Sequence, residues 1–259
     1  MEYKVEEITD FMKSWAREDY QESWDNSGIQ INFNEVTENV TLALDLTDKV
    51  IDEAVKNNSK LIITHHPMFF SGIKNIDINT YSGKNIIKLI DNRISVYSAH
   101  TSLDIAKDGV NDTLCDILDL KVIKGLSEAD SGYTIGNIAE FNEEISAEEL
   151  LELLKNKLEY DNVKIYGRKN KIKKIAICGG SGASMIDDVI NNNVNCYITG
   201  DVKHHDAQYA YEKGIMLVDI SHYYGERTVL DIIKNKLQNN FKINVNIVNN
   251  NDFEVSLEK

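Results

Sequence analysis

The chain has 259 residues, a length that corresponds to one large domain or two small ones. Its composition, 42% hydrophobic and 27% charged, is that of a globular protein with a core, and it excludes a collagen-like or largely disordered chain. The net charge of −14 disfavours general nucleic-acid binding, because the average surface would repel a phosphate backbone. A local site for a small anion or a metal ion remains compatible with this charge.

The cysteines and the N-terminal segment predict where the protein is found. Cys115, Cys178 and Cys196 are an odd number without CxxC spacing, which indicates a reducing compartment rather than a disulfide framework. The N-terminal segment is acidic and lacks the basic and apolar regions of a signal peptide. No apolar run approaches the roughly 20 residues that a membrane helix requires. We therefore expect a soluble, cytoplasmic protein with no membrane partner.

Strand and helix patterns alternate in the first half of the chain. Apolar residues at helical spacing predict a first helix over residues 4–17. Thr47 is a suitable N-cap for the helix that follows it. The remaining predicted elements of this half are strands over residues 40–46, 61–64 and 94–99, and helices over residues 48–57, 83–92 and 110–118.

The second half continues the alternation. Ser146 and Glu149 have the spacing of a capping box and predict the start of a helix. The predicted strands cover residues 133–141, 163–166, 172–178, 197–199, 215–220 and 243–248, and the helices cover 146–158, 185–193, 207–213 and 228–237. Repeated β-α-β units with short connections predict an α/β fold, with mostly parallel sheets and helices packed on them.

The two halves share one pattern. Residues 40–66 and residues 175–205 each contain a strand, a helix, a turn and a second strand, and each stretch ends on two histidines. A further strand then leads to a His-x-x-x-acid motif in both halves, which gives His65, His66, His100 and Asp104 in the first, and His204, His205, His222 and Glu226 in the second. This repetition predicts a duplicated α/β unit, with halves at residues 1–125 and 126–259 and a boundary within residues 121–131.

All six histidines follow predicted strands. Ligands of open α/β sheets bind outside the carboxyl ends of the strands, so the six are predicted at one rim. A single histidine is more commonly a core or surface residue held by a hydrogen bond. Six at equivalent positions, together with Asp104 and Glu226, instead favour a ligand site.

The spacing of these residues indicates metal chemistry. Neighbouring strand residues point to opposite faces, so His65 and His66 diverge towards two ions unless the strand has already ended. His222 and Glu226 share one face if a helix begins there. A bridging carboxylate with histidines divided between two ions forms a two-metal site. Imidazole and carboxylate ligands suit zinc, iron, manganese or nickel.

Three other features have competing interpretations. The turn Gly179–Gly182 has the character of a phosphate-presenting loop or of a tight turn without a ligand. Cys178 is a candidate nucleophile, but its apolar strand favours a core thiol. The polar segment of residues 22–28, around Trp24, has the composition of a capped turn that anchors the N-terminal helix.

Five motifs carry a family resemblance. They are WDNSG at residues 24–28, ITHHP at 63–67, AHTSLD at 99–104, TGDVKHHDA at 199–207 and SHYYGE at 221–226. With them in this order, over nearly its full length, the chain resembles the GTP cyclohydrolase 1 type 2 homologue family, also called the Nif-three-like dinuclear-metal proteins. It resembles the short form, without an inserted domain. The resemblance implies two intertwined α/β domains and a ring-shaped homohexamer, a trimer of dimers, with metal sites facing a central cavity.

The resemblance also implies the roles of individual residues. It implies two divalent metal ions per chain, with Glu226 as the bridging ligand. His100 would orient a ligand, and His204 and His205 would line the same pocket as proton-transfer groups. The metal ligands implied by the resemblance are His65, His66, Asp104, His222 and Glu226.

Two functions are compatible with such a site. The first is a metal-dependent hydrolase of a small substrate, such as a purine nucleotide, that acts through a metal-activated water. The alternative is a non-catalytic metal-binding ring that serves as a scaffold, a regulator or a metal-trafficking protein. Five ligands for two ions leave open coordination positions, which favours hydrolysis.

Overall fold

Helices and strands alternate along the chain in the computed structural model, which describes residues 1–167, 171–249 and 251. The first elements are β1 (Tyr3–Lys4), α1 (Val5–Trp15), β2 (Gly28–Ile31), β3 (Val36–Thr37), β4 (Asn39–Ala43), α2 (Asp48–Lys56), β5 (Leu61–Thr64), α3 (Tyr81–Asn92), β6 (Ser95–Ser98), α4 (Thr101–Ile105) and α5 (Val110–Ile117). They are followed by β7 (Lys121–Glu128), β8 (Thr134–Ile145), α6 (Ala147–Leu158), β9 (Lys164–Tyr166), β10 (Ile172–Ile177), α7 (Ile186–Asn191), β11 (Cys196–Thr199), α8 (His204–Glu212), β12 (Met216–Asp219), α9 (His222–Glu226), α10 (Val229–Asn240) and β13 (Asn244–Ile247).

The chain forms two compact units. The first unit combines residues 1–103 with the chain from residue 230 onwards. Its main sheet has the strand order β13-β4-β5-β6-β2, in which β2 is antiparallel to β6 and the other neighbours are parallel. The helix α2 packs on β4 and β5, and its N-terminus is capped by the Thr47 side chain, as predicted. Burial of Val50, Ile51 and Leu89 against the sheet residue Ile62 builds the core here.

The second unit contains residues 104–229. Its sheet has the order β7-β8-β10-β11-β12-β9, with β10, β11 and β12 parallel and the outer strands antiparallel. Both faces of this sheet are covered, because alternate residues enter different cores: Ile175 and Ile177 pack with α5 and α6, whereas Ala176 and Cys178 pack with α7 and α8. The predicted capping box begins α6, where Ser146 and Glu149 exchange hydrogen bonds.

The same arrangement of strands occurs in both units. Three parallel strands lie side by side, β4-β5-β6 in the first unit and β10-β11-β12 in the second. A strand that comes earlier in the chain, β2 or β9, pairs antiparallel with the third member of each set. The predicted α/β fold is therefore confirmed. The sheet of the second unit is mixed, because β7, β8 and β9 are antiparallel to their neighbours.

The observed division of the chain differs from the predicted halves at residues 1–125 and 126–259. Residue 125 lies inside β7, which pairs with β8 in the sheet of the second unit. The last strand, β13, pairs parallel with β4 and so belongs to the sheet of the first unit. Hydrogen bonding between strands far apart in sequence decides this division, and local composition carries no signal of it.

The described residues include no helix that is both long and apolar enough to cross a membrane.

We expect the core of the first unit to depend on the buried face of α3. Leu89 on this face is fully buried, whereas its neighbour Ile90 is 42% exposed. The substitution Leu89→Ala should lower the free energy of unfolding by about 2–5 kcal/mol, since it leaves a cavity in the core. The matched control Ile90→Ala should change it by less than about 0.5 kcal/mol. Urea titration followed by circular dichroism measures both, and equal losses would contradict this packing.

Candidate metal centre

His65 and His66 lie directly after the end of β5. The strand ends at Thr64, so strand alternation no longer governs the two histidines, and their ring centroids are 5.0 Å apart. Their backbone N–H groups still donate to the carbonyls of Ala43 and Leu44 on the neighbouring strand. The Thr64 hydroxyl donates to the His66 carbonyl at 2.8 Å. These bonds fix the turn that presents both imidazoles.

His100 joins this pair after the end of β6. One ring nitrogen of each of His65, His66 and His100 lies within 4.8 Å of the others. The ring centroids of His65 and His100 are 5.2 Å apart. We call these three residues the histidine cluster. The resemblance gave His100 the task of orienting a ligand, but its ring nitrogen lies with those of the candidate ligands.

An acceptor at Nδ1 sets the tautomer of each imidazole in the histidine cluster. Nδ1 of His65 is 2.8 Å from the carbonyl oxygen of Ala99, which can only accept. Nδ1 of His66 is 2.8 Å from Asp45, and Nδ1 of His100 is 2.8 Å from Asp25. The proton therefore sits on Nδ1, and the lone pair of each ring is at Nε2. Metal-binding histidines commonly have this arrangement, because the outer hydrogen bond orients the ring and increases its basicity.

Asp25 is held by several donors. Its carboxylate accepts from the ring of His100 and from the backbone N–H and hydroxyl of Thr101. Burial raises the pKa of Asp25, but the hydrogen bond and charge of His100, together with the Thr101 hydroxyl, outweigh burial and hold the pKa well below its ordinary value. Asp25 is thus a fixed anion behind His100. The segment around it does more than the predicted capped turn, and its Trp24 is 58% exposed.

The second unit has its own cluster at the end of β12. His222 is the first residue of α9, and its Nε2 lies 3.1 Å from Glu226, four residues later on the same helix face. Nδ1 of His222 is 2.8 Å from the Asp201 carboxylate, which follows the end of β11. Ser221 precedes His222 with φ of 64°, a conformation that non-glycine residues rarely adopt. This strained residue begins the turn into α9.

Asp104 and Gly180 complete the surroundings of Glu226. Ligand oxygens of Asp104 and Glu226 lie within 4.8 Å of each other, and Glu226 is only 3% exposed. Asn111 ties this region together, because it donates to the Asp104 carbonyl and accepts from Gly179 N–H. Gly180 has φ of 64°, and a Cβ atom there would lie 2.2 Å from Oε1 of Glu226. We call Asp104, His222 and Glu226 the carboxylate cluster.

His204 and His205 occupy a different position from the one that the sequence repeat predicts. The structural counterparts of His65 and His66, directly after the second parallel strand, are Gly200 and Asp201. His204 and His205 instead begin α8, where both are exposed. Neither belongs to a group of possible ligands within 4.8 Å among the described residues. The repeated letters His-His therefore do not reflect equivalent places in the two units.

Sequence reasoning missed the carboxylates behind the rings, Asp25, Asp45 and Asp201. Asp25 lies in the WDNSG motif, which was a signal for its importance without indicating its partner. Asp201 lies in the TGDVKHHDA motif, in which only the two histidines were predicted to be functional. Asp45 follows β4 and carried no signal beyond its position near a strand end.

The Gly179–Gly182 turn and Cys178 each have a structural explanation. The Gly179–Gly182 turn binds the protein itself, since Gly182 N–H donates to Thr199 and the Gly180 carbonyl accepts from Gly200 N–H. Cys178 is a core thiol, because it is buried between Ile186 and Val189 in the apolar cluster. Burial, reinforced by the charges of Asp104 and Glu226, raises its pKa far above that of a reactive thiol.

The donor set of both clusters fits a divalent transition-metal ion. Imidazole nitrogens with pre-set tautomers and a buried carboxylate are ligands that zinc, iron, manganese and nickel accept. His65 and Glu226 are almost completely buried. Burying an ionisable side chain costs free energy unless it is paired, so their location points to a task at the site. Fold and site together define an α/β protein with histidine and carboxylate groups able to hold metal.

Comparison with known proteins places the chain in a family. The family described as Duf34/NIF3 (NGG1p interacting factor 3) matches residues 3–252. A GTP cyclohydrolase 1 type 2 homolog of Clostridium perfringens is 36% identical over 251 residues and is covered to 95%, as is this chain. The chain therefore belongs to the Duf34/NIF3 family, which confirms the resemblance found in the motifs.

Solved structures agree with this assignment. Reduced HcgD from Methanocaldococcus jannaschii is 31% identical and has a TM-score of 0.85. The superposition covers 95% of this chain and 98% of that one. A Bacillus cereus protein related to NIF3 has a TM-score of 0.91 at 21% identity, and covers 98% of this chain and 99% of its own. The second comparison shows agreement of the fold.

The buried cysteines give a direct test of the site description. Burial raises the pKa of Cys115 and Cys196 to about 12, and that of Cys178 further, so almost no thiolate exists at pH 8. Because only the thiolate reacts, the native protein should resist iodoacetamide, and all three cysteines should react once urea unfolds the chain. Mass spectrometry locates the labels. Rapid native labelling of Cys178 would instead restore it as a candidate nucleophile.

Proposed function

We propose that this protein is a dinuclear-metal hydrolase of a small substrate, such as a purine nucleotide. The observation that carries the proposal is the acceptor at Nδ1 of His65, His66, His100 and His222. A histidine that serves only the core needs no carboxylate behind its ring. Rings oriented through Nδ1 in this way are typical of metal-binding histidines.

We propose two divalent ions per chain, with Glu226 as the bridging ligand. This set combines the ligand assignment implied by the family motifs with the donor groups of the histidine cluster and the carboxylate cluster. His100 is added as a further candidate ligand. Metal of this kind supplies a water of lowered pKa and positive charge that stabilises a developing anion. The proposed ligands from the motifs are His65, His66, Asp104, His222 and Glu226.

The residues of the chain have complementary tasks in this proposal. Asp25, Asp45 and Asp201 accept from Nδ1 of His100, His66 and His222, which orients each ring and increases the basicity of its Nε2 towards a metal ion. His204 and His205, exposed at the start of α8, are proposed to carry protons to and from bulk water. A net charge of −14 favours a small substrate over a nucleic acid.

The names of two relatives support a nucleotide as the substrate. The Clostridium perfringens relative is called a GTP cyclohydrolase 1 type 2 homolog, and a Helicobacter pylori relative, 36% identical over 228 residues, is called GTP cyclohydrolase 1 type 2.

We propose a homohexamer, a trimer of dimers, from the family resemblance. A cytoplasmic location is proposed from the three buried free thiols.

Metal content of the purified protein tests the site. Wild type should contain about two ions per chain, as a two-metal site requires. Glu226→Gln should retain about one ion or fewer, because the bridging charge is lost. The control Glu212→Gln changes an exposed glutamate on α8 and should keep the wild-type content. Elemental analysis after purification with iron, zinc, manganese or nickel supplies the counts.

Hydrolysis by the same proteins separates the two functional classes. A hydrolase should release product from GTP or a related nucleotide in wild type and Glu212→Gln, and at least about 100-fold more slowly in Glu226→Gln. Full metal content without any turnover would favour the non-catalytic scaffold or trafficking role. Metal-free wild type, after all four metals have been offered, would contradict the proposed function altogether.

Gly180 gives a second test that removes no ligand. In Gly180→Ala the new Cβ would lie 2.2 Å from Oε1 of Glu226, so the carboxylate must move. Gly214→Ala is the matched control, because Gly214 also has positive φ but no atom within 4 Å of the added Cβ. Both variants carry the same kind of backbone strain. Only Gly180→Ala should lose metal, and equal metal content in the two would argue against Glu226 as a ligand.

A further inference from the structure

A cavity of about 500 Å³ lies in the first unit beside the histidine cluster. His66 and its partner Asp45 form one end of its lining, and Phe70, Tyr81 and Asn85 form other parts. The volume falls within the roughly 300–1,000 Å³ that small-molecule sites occupy. A ligand in this cavity would lie next to a proposed metal ligand.

The wall of the cavity is a long connection with fixed geometry. Residues 65–80 join β5 to α3 without helix or strand, and connections of this length commonly serve a function. Asn26 and Gln30 bind the backbone of Phe69, the first at 2.6 Å and the second at 3.2 Å. At the far end, the Asp77 carbonyl packs so closely on α3 that Gly83 has no room for a side chain. These contacts hold the connection in place along the cavity.

The lining has the chemistry of a site for a planar, neutral ring. Phe70 and Tyr81 line it while 53% and 60% exposed, so they offer uncovered aromatic surface. Such faces stack on nucleobases, with about 1–3 kcal/mol per base in nucleic-acid complexes. No Lys or Arg lines the cavity in the described part of the chain, whereas the carboxylate of Asp45 does. An anionic phosphate would therefore not be held by this lining.

Asn85 supplies the polar group for such a ring. It lies on the first turns of α3, is only 3% exposed and lines the cavity. Within residues 1–167, 171–249 and 251, its carboxamide makes no hydrogen bond to the protein and is not a buried group without a partner, so its polar atoms are open to the cavity. A carboxamide pairs one donor and one acceptor, which matches the adjacent acceptor and donor on the edge of a nucleobase.

We propose that this cavity binds the heterocyclic base of a nucleotide substrate, with Asn85 on the edge of the base and Phe70 and Tyr81 on its faces. The inference rests on the proposed function, because it assigns the part of the substrate that metal does not hold. It deepens that function by naming the cavity and the residues that would hold the base. The reacting end of the substrate then lies towards His66.

Calorimetric titration of the full-length protein with guanosine tests the proposal. Guanosine has the base but no phosphate, so its binding reports on the base site alone, and ribose is the probe without a base. Guanosine should bind saturably and ribose should not. Asn85→Leu keeps the approximate size of the side chain but removes both its donor and its acceptor, and should weaken guanosine binding about tenfold or more. Tyr81→Ala should weaken it by a similar factor.

Matched measurements make the outcomes distinct. Tyr211→Ala removes a tyrosine that is 51% exposed on α8 and should leave the guanosine affinity unchanged. Metal content should be unchanged in all three variants, since none removes a proposed ligand. Metal-containing wild type that fails to bind guanosine would overturn this inference and leave the proposed function intact. Guanosine binding that is insensitive to Asn85→Leu and Tyr81→Ala would also overturn it. So would a Tyr81→Ala variant that changes only the oligomeric state in sedimentation and not the guanosine affinity.

Discussion

The hydrogen bond at Nδ1 of each site histidine is the interaction on which the chemistry of this protein depends. Neutral imidazole can bind metal through either nitrogen, and the acceptor behind the ring removes that choice. Asp25 does this for His100 from a position 75 residues earlier in the chain, with its own charge held by Thr101. Asp201 does the same for His222. The orientation of the rings is thus fixed by hydrogen bonds within the protein.

The parallel strands explain how each unit gathers such groups. In both units, the segments after two adjacent parallel strands leave the sheet at the same edge, which places their side chains together. The first unit uses these places for His65, His66 and His100. The second uses them for Asp201 and His222, and leaves Gly200 where the first unit has a histidine. The two units therefore present different groups at similar places: three imidazoles in the first, and His222 with Glu226 in the second.

Local strain accompanies the carboxylate cluster. Ser221 and Asp201 both have positive φ, a conformation that costs free energy for residues other than glycine. Gly180 leaves the space that the buried Glu226 carboxylate fills. The long connection beside His66 also adds little to stability, because its exposed aromatic side chains contribute little to the core. Such features persist where a site, rather than stability, selects the conformation.

The sequence by itself determined the α/β fold and the caps of α2 and α6, because these follow from local spacing, and the family motifs supplied the candidate ligands. His65–His66 and His222–Glu226 are close in the chain, so strand ends and a helix face were enough to pair them. Only the tertiary structure decided that β13 joins the first sheet and that His204 and His205 begin an exposed helix. It also decided that Asp25 lies behind His100. These depend on contacts between distant segments, whose partners are selected by hydrogen bonding and packing that no local pattern encodes.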